Sequence, residues 1–257
     1  MTPPEYVRPK SIPEALGALL GGTALGGGTT LAGRAREVAR LVDLQDAGLD
    51  QLQAEGDWIR MGAMLRIQQM VEAEAELPAG LRDACRREAG LNLRTMASLG
   101  GTLLECSGRS LVVTALLGLH AQVRLEPGPQ QWPLEELLTR RRSLPEGALI
   151  TEVLVQAPMG MAVTSVARAP ADRPIVCAAV ARLAGRAPSY GVALGGFGSH
   201  PIGIPVAELA LAAGDVRGAA EAARTAYATA EDAWASADYR AEVAATLVRR
   251  LAGEVGA

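Results

Sequence analysis

The pattern of apolar and polar positions in roughly the first fifty residues predicts a small α/β unit. Apolar side chains recur at helical spacing after Ser11, a residue type that caps helix N-termini, and a short apolar run precedes three consecutive glycines. In chain order the pattern predicts a helix, a strand, a glycine turn, a helix and a strand, over 12–20, 23–25, 26–28, 31–40 and 41–44. Such close alternation of helices and strands is typical of α/β architecture.

The middle of the chain, from about 57 to 158, predicts a second unit of the same kind. Its elements are expected over 58–64 (strand), 65–76 (helix), 81–89 (helix), 111–119 (an apolar helix or buried segment), 121–125 (strand) and 149–155 (strand). Pro158 ends the last strand, because proline has no N–H to donate to a sheet.

The last third of the chain has a different pattern. Strand-like runs joined by short turns, which favour an antiparallel sheet, cover 162–168, 175–183 and 190–195. Helices are expected over 206–213, 217–230 and 238–252. The predicted fold class is therefore α+β, with a domain boundary near Met159.

The composition excludes several classes of protein. The net charge of −3 provides no basic surface for nucleic acid. No segment approaches the run of about 20 apolar residues that a membrane span needs. The N-terminus lacks the apolar stretch of a secretory signal. We therefore expect a cytoplasmic protein that binds no nucleic acid and has no membrane span.

The scarcity of cysteine and histidine bears on the chemistry. Cys85, Cys106 and Cys177 form no C-x-x-C pair, and His120 and His200 are the only histidines. This excludes an iron–sulfur cluster and a structural zinc site, and no metal site is expected. The chain also lacks a plausible catalytic triad or carboxylate pair, so no catalytic residue is assigned. A redox cofactor, if there is one, must be organic and held largely by backbone.

Two glycine pairs with small hydroxyl neighbours could form such a site. Glycine permits positive φ and lets a ligand approach the backbone, while successive amides in a turn can bind an anion. Hydroxyl side chains add donors for phosphate oxygens. The candidate cofactor-binding residues are Gly26, Gly27, Gly28, Thr29, Thr30 and Leu31 in the first segment and Ser98, Leu99, Gly100, Gly101 and Thr102 in the second. Because Gly27 and Gly100 are expected to lie against phosphate, a Val at either position should expel the ligand and leave the fold mostly intact.

The order of several motifs along nearly the whole chain resembles the FAD-binding medium subunit of the xanthine dehydrogenase and carbon monoxide dehydrogenase family. The stretch 6–15 resembles the family's Y-x-R-P-x-S-x-x-E-A opening, and the two glycine segments resemble A-G-G-x-S-L and V-R-N-x-G-T-I-G-G-N. Further similar stretches are 41–44 (L-V-D-L), 59–63 (I-G-A), 193–201 (A-L-G-G-x-x-x-x-P) and 237–240 (S-x-x-Y-R).

The resemblance implies a domain organisation and a cofactor. An FAD-binding lobe of the PCMH type would cover 1–158, in two α/β subdomains at about 1–56 and 57–158. A C-terminal domain over 159–257 would contain a three-stranded antiparallel sheet with helices. FAD would lie with its diphosphate at the two glycine segments. Arg168 and Asp172 match an R-x-x-x-D stretch that would lie near the flavin ring.

The resemblance also implies an oxidoreductase made of several subunits. Electrons would come from a molybdopterin-binding large subunit through the iron–sulfur clusters of a small subunit, reach FAD on this chain, and leave to an external acceptor. The partners would form a heterotrimer with this chain, and whether that heterotrimer dimerises stays open. The flavin would supply the chemistry and the protein would bind and orient it.

Two alternatives stay open at this point. The first is a dinucleotide-binding Rossmann unit with Asp43 as its ribose-binding acid, but Gly33 is misplaced for that motif and no further βαβ repeat follows. The second is a non-catalytic scaffold subunit of the same family that has lost FAD. Thr95, Thr102 and Leu111, which depart from the family's pattern, favour it.

Overall fold

The computed structural model describes residues 3–31, 38–128, 130–185 and 189–257 of the chain. The strands are β1 (Glu5–Val7), β2 (Thr23–Leu25), β3 (Arg40–Asp43), β4 (Leu52–Glu55), β5 (Trp58–Gly62), β6 (Gln122–Glu126), β7 (Gln130–Pro133), β8 (Leu149–Gln156), β9 (Gly160–Val166), β10 (Val176–Leu183), β11 (Ser189–Gly195) and β12 (Ile202–Gly203). The helices are α1 (Ile12–Leu19), α2 (Ile67–Glu72), α3 (Ala79–Glu88), α4 (Leu91–Arg94), α5 (Leu99–Glu105), α6 (Leu111–Gly118), α7 (Leu134–Arg140), α8 (Pro205–Ala212), α9 (Val216–Ala226) and α10 (Ala237–Glu254). The α+β fold class is confirmed.

Contacts divide the chain into two compact units, of which unit 1 comprises 1–70, 91–105 and 122–154. It contains a three-stranded sheet in the order β1-β3-β2, whose strands are parallel, and a five-stranded sheet in the order β4-β5-β8-β6-β7. The hydroxyl of Ser11 accepts a hydrogen bond from the amide of Glu14 and caps α1, as the sequence predicts. Leu19 and Val42 are among the buried residues that join α1 to the parallel sheet.

Unit 2 comprises 71–90, 106–121 and 155–257. Its sheet has the order β12-β11-β10-β9 and is antiparallel throughout, because short connections join successive strands. The helix α6 is buried along its entire length and packs against β10 and β11, while α8, α9 and α10 pack together. Small side chains such as Ala178, Ala219 and Ala244 fill much of this core, which explains the alanine-rich sequence.

The structure differs from the sequence prediction at several elements. The short strand β12 adds a fourth member to the C-terminal sheet, and β1, β4 and β7 carry mostly exposed residues that give no apolar signal. The helix predicted over 65–76 spans only Ile67–Glu72. Most of the helix predicted over 31–40 lies outside the described residues, and its last residue, Arg40, begins β3.

The grouping of contacts does not follow the expected boundary near 158. Two segments from the first 158 residues, 71–90 and 106–121, belong to unit 2. The domain limits read from the sequence therefore stay a prediction. Among the helices described, none is both long and apolar enough to cross a bilayer.

Candidate functional site

The parallel sheet of unit 1 positions the first glycine segment. Because β1, β2 and β3 run in the same direction, their carboxyl ends lie at one edge of the sheet. Leu25, the last residue of β2, is paired with Asp43, the last residue of β3. Gly26 follows directly, so the glycine segment leaves the sheet at the edge where α/β proteins commonly bind ligands.

Asp43 has a structural role at this edge of the sheet. Its carboxylate is buried and accepts hydrogen bonds from the Tyr6 hydroxyl and from the amide of Gln45, 3.0 Å away. The hydrogen bond to Asp43 raises the pKa of the Tyr6 phenol. Arg8 Nε lies 3.8 Å from Asp43 Oδ2, the oxygen that accepts from Tyr6. Protein groups therefore surround this carboxylate, contrary to what a ribose-binding acid in a Rossmann unit requires.

The two glycine segments lie against each other within unit 1. A Cβ atom added to Gly26 would lie 2.5 Å from Ser98 Oγ, and one added to Gly27 would lie 2.0 Å from the carbonyl oxygen of Met96 and 2.9 Å from Ala97 Cα. Only glycine permits so close an approach of two backbones. The structure thus brings together the segments that the sequence singled out, while their role in holding a cofactor stays a prediction.

The first segment has backbone donors to offer. Within the described ranges, the amides of Gly26, Gly27 and Gly28 have no protein hydrogen-bond acceptor. Gly28 adopts a φ of 69°, in the left-handed region that favours glycine. Thr29 and Thr30 are exposed next to it. This arrangement fits an anionic group such as a phosphate.

The second segment offers fewer donors than expected. The amide of Leu99 donates to Leu65 O at 2.9 Å, and that of Gly100 donates to Ala63 O at 2.8 Å. The amide of Gly101 makes only a long contact of 3.4 Å to Ser98 Oγ, and Thr102 Oγ1 donates to Ser98 O at 2.9 Å. The expectation that successive amides of this segment face a ligand is therefore wrong for Leu99 and Gly100, because they hold the start of α5 in place.

The expectation that a Val leaves the fold mostly intact is wrong for Gly27, while for Gly100 it stays a prediction. The space beside Gly27 is filled by the backbone at Met96, and a Cβ on Gly100 would lie 3.0 Å from Ala63 Cβ. Gly27 is required by a backbone contact within the protein, so a bulky replacement there disturbs the fold as well as any ligand.

Arg168 and Asp172 lie in unit 2, on the connection between β9 and β10. The guanidinium carbon of Arg168 lies 4.9 Å from the ring centroid of Trp234, and that of Arg109 lies 4.4 Å from it. The amide of Asp172 donates to Ala169 O at 3.0 Å in a turn. Arginine over an indole ring is a favourable cation–π contact. Whether these residues approach a flavin ring stays a prediction.

Sequence reasoning missed a carboxylate that caps α6. Leu111, the first residue of that helix, is buried in the core, and Glu88 at the end of α3 accepts a hydrogen bond of 2.9 Å from the amide of Val112. Burial raises the pKa of the Glu88 carboxyl, and the hydrogen bonds from Val112 and Ser110 oppose that shift. Glu88 and Val112 come from separate segments of the chain, so no local spacing could have revealed their contact.

The raised pKa of Glu88 predicts a pH-dependent effect of Glu88→Gln. Ionised Glu88 costs the folded state free energy, and this cost grows as the pH rises through the unfolded pKa toward the folded one. Glutamine keeps an acceptor for the Val112 amide without the charge. We expect the stability of the variant relative to wild type to be higher at pH 7 than at pH 4, measured by urea unfolding. An equal difference at both pH values would contradict this account.

Comparison with known proteins identifies related sequences and folds. The family model described as "FAD binding domain in molybdopterin dehydrogenase" matches residues 2–158. The uncharacterized protein YgfM of Escherichia coli strain K12 is 29% identical over 141 residues, and the protein of the same name from strain O157:H7 matches equally. The match covers 54% of this chain and 52% of the relative, so the chain spans about half the length of the curated relatives it matches.

Solved structures share the fold over the whole chain. Carbon monoxide dehydrogenase from Hydrogenophaga pseudoflava, in a form lacking the Mo-pyranopterin moiety, superposes with a TM-score of 0.84 at 24% identity and covers 100% of this chain and 99% of that one. Carbon monoxide dehydrogenase from Oligotropha carboxidovorans gives 0.85 at 22% identity, with 99% of both chains covered. Quinoline 2-oxidoreductase from Pseudomonas putida 86 gives 0.85 at 19% identity, with 99% and 98% covered.

Proposed function

Because the chain belongs to the family of FAD-binding domains in molybdopterin dehydrogenases, we propose that it is the flavin subunit of a multi-subunit molybdenum hydroxylase. In this role it accepts electrons from the iron–sulfur clusters of a small partner subunit and passes them to an external acceptor. A large molybdopterin-binding subunit completes the complex. The solved structures with this fold belong to carbon monoxide dehydrogenase and quinoline 2-oxidoreductase, which supports the same class of complex for this chain.

The apposition of the two glycine segments carries the proposal. The free amides of Gly26, Gly27 and Gly28 are the donors that would hold the diphosphate of FAD, and the amide of Gly101 would add to them. The side chains of Thr29 and Thr30 are exposed at the same turn and could donate through their hydroxyls. Backbone donors suit this task because they are fixed by the fold before the ligand arrives.

The residues of the chain indicate which tasks fall to this protein and which fall to FAD and the partner subunit. FAD, when bound, supplies the electron-transfer chemistry, since it can both accept and donate electrons. The protein binds and orients it. In the described part of the chain no cluster of histidine, cysteine or carboxylate side chains could hold a metal ion. The iron–sulfur clusters in the proposed route would therefore be held by the partner subunit.

The visible spectrum of the purified chain tests the cofactor assignment. We expect a flavin spectrum and the release of FAD, in an amount equal to that of the chain, when the protein is denatured. A colourless preparation that binds no added FAD would contradict the proposal and favour the scaffold alternative. The amides of Leu99 and Gly100 support that alternative, because both donate to acceptors within the protein.

Copurification tests the proposed partners. When the chain is produced together with the neighbouring genes of its source, we expect it to elute with an iron–sulfur protein and a molybdopterin protein. Elution of a flavin-loaded chain alone under these conditions would contradict the complex but leave the FAD site intact.

A further inference from the structure

Arg66 lies at the junction of the two glycine segments. Its backbone forms an isolated antiparallel β-bridge with Ser98, and its Nη1 donates a hydrogen bond to the carbonyl oxygen of Met96. That carbonyl is the group against which Gly27 packs. Gly27 and Arg66 therefore meet at one and the same carbonyl oxygen, which places the guanidinium at the contact between the two segments.

In the described part of the chain, no carboxylate neutralises the charge of Arg66. Within the described ranges, no carboxylate lies within ion-pair distance of its guanidinium. The arginines at the nearby parallel sheet differ in this respect, because Arg8 pairs with Asp46 at 2.9 Å and Arg40 pairs with Glu5 at 2.7 Å. A guanidinium has about five N–H donors, and its bond to Met96 uses one of them.

The second segment needs an additional donor. Since the amides of Leu99 and Gly100 are bonded to Leu65 and Ala63, a diphosphate at this site would meet fewer amides than two complete glycine turns would supply. Apart from the amide of Gly101, only the dipoles of the first segment would face a group that carries a negative charge on each phosphate. Arginine binds phosphate oxygens through charge-assisted hydrogen bonds, which are about twice as strong as neutral ones.

We propose that Arg66 is the cation that neutralises the diphosphate of the dinucleotide held at the two glycine segments. The inference rests on the proposed function, and it assigns to this chain a side-chain contact in addition to the backbone donors. It makes Arg66 a binding residue that acts on the phosphates and leaves the flavin ring untouched.

Titration of the full chain, freed of flavin, with FAD at low and high salt tests the proposal. We expect Arg66→Gln to raise the Kd for FAD about tenfold at low salt, which corresponds to about 1.4 kcal/mol. The difference from wild type should shrink at about 1 M salt, where the screening length falls to about 3 Å. Arg66→Lys, which keeps the charge, should recover much of the affinity.

Arg140→Gln is the matched control, because it removes one positive charge from unit 1 at an exposed residue that pairs with Glu136 on its own helix. Its Kd and salt dependence should equal those of wild type. The melting temperature of each flavin-free variant distinguishes two effects. Loss of the charge alone should leave it unchanged, whereas a disturbed glycine segment should lower it. Loss of affinity that is equal at both salt concentrations, or an Arg66→Gln chain that fails to fold, would make Arg66 a structural residue and overturn the inference.

The two proposals fail in different ways in this titration. A wild-type chain that binds no FAD at either salt concentration contradicts the proposed function. A wild-type chain that binds FAD, together with an Arg66→Gln variant of equal affinity and equal salt dependence, overturns only the role of Arg66.

Discussion

Gly27→Ala is expected to abolish FAD binding and to lower the free energy of unfolding by about 1–3 kcal/mol. The added methyl group would lie 2.0 Å from Met96 O and 2.6 Å from the carbonyl carbon, both of them backbone atoms that no rotamer change can move. The two glycine segments must therefore separate, and with them the amides proposed to bind the diphosphate. Urea unfolding of the flavin-free chain and FAD titration measure the two effects.

Gly17→Ala is the control for this substitution. Gly17 lies inside α1 in the same unit, and nothing lies within 4 Å of the position that its Cβ would take. Alanine there should stabilise the chain by about 0.5–1 kcal/mol, because it restricts the unfolded state and favours the helix. Equal behaviour of the two variants would mean that the contact between Gly27 and Met96 does not exist in solution.

Arg240→Met should destabilise unit 2 by about 3 kcal/mol or more. The arginine is completely buried in α10, where it donates to Ile175 O, to Ala230 O at 3.0 Å and to Asp232 Oδ1 at 2.8 Å. Methionine fills a similar volume but removes the side-chain donor to two carbonyls and one of several donors to the Asp232 carboxylate. Arg250→Met on the same helix is the control, since its pair with Glu254 is exposed and should be worth less than about 1 kcal/mol.

The difference in stability between wild type and Arg240→Met is expected to depend on pH, because Arg240 pairs with the ionisable Asp232. Partial burial would raise the pKa of Asp232, but the hydrogen bonds from Arg240 and from the amides of Trp234 and Ala235 outweigh it, and the pKa is lowered. The stabilisation from this pair is therefore present above the unfolded pKa of about 3.9 and is lost as the pH falls through the folded value. The gap between wild type and Arg240→Met should be widest near neutral pH and narrow below about pH 4. A gap that does not change with pH would contradict the role of Asp232.

Local patterns predicted much of the fold. Ser11 and the spacing of Ile12, Leu16 and Leu19 identified α1, and the apolar runs of β10 and β11 identified the antiparallel hairpin of unit 2. The motif resemblance and the FAD cofactor are confirmed at the level of the family. Short exposed strands such as β4 were missed, since their pairing is decided by the rest of the sheet.

The candidate site was predictable only in part. Glycine pairs with adjacent hydroxyl residues marked the two segments, but the sequence could not reveal that the amides of Leu99 and Gly100 are consumed by Leu65 and Ala63. Arg66 gave no signal, because a single arginine next to an apolar strand resembles any surface cation. The role proposed for it depends on a contact with a residue 30 positions away, which only the folded chain brings about.

The repeated passage of the chain between its two units limits how it can be divided. The region matched by the family model ends at 158, yet α3 and α6, which lie within it, pack on strands that come later in the sequence. A fragment cut at that residue would carry α6, apolar on every side, without the sheet that covers it. Gene fusion or shuffling at this border is therefore expected to leave α6 exposed and to lower the solubility of the separated fragment.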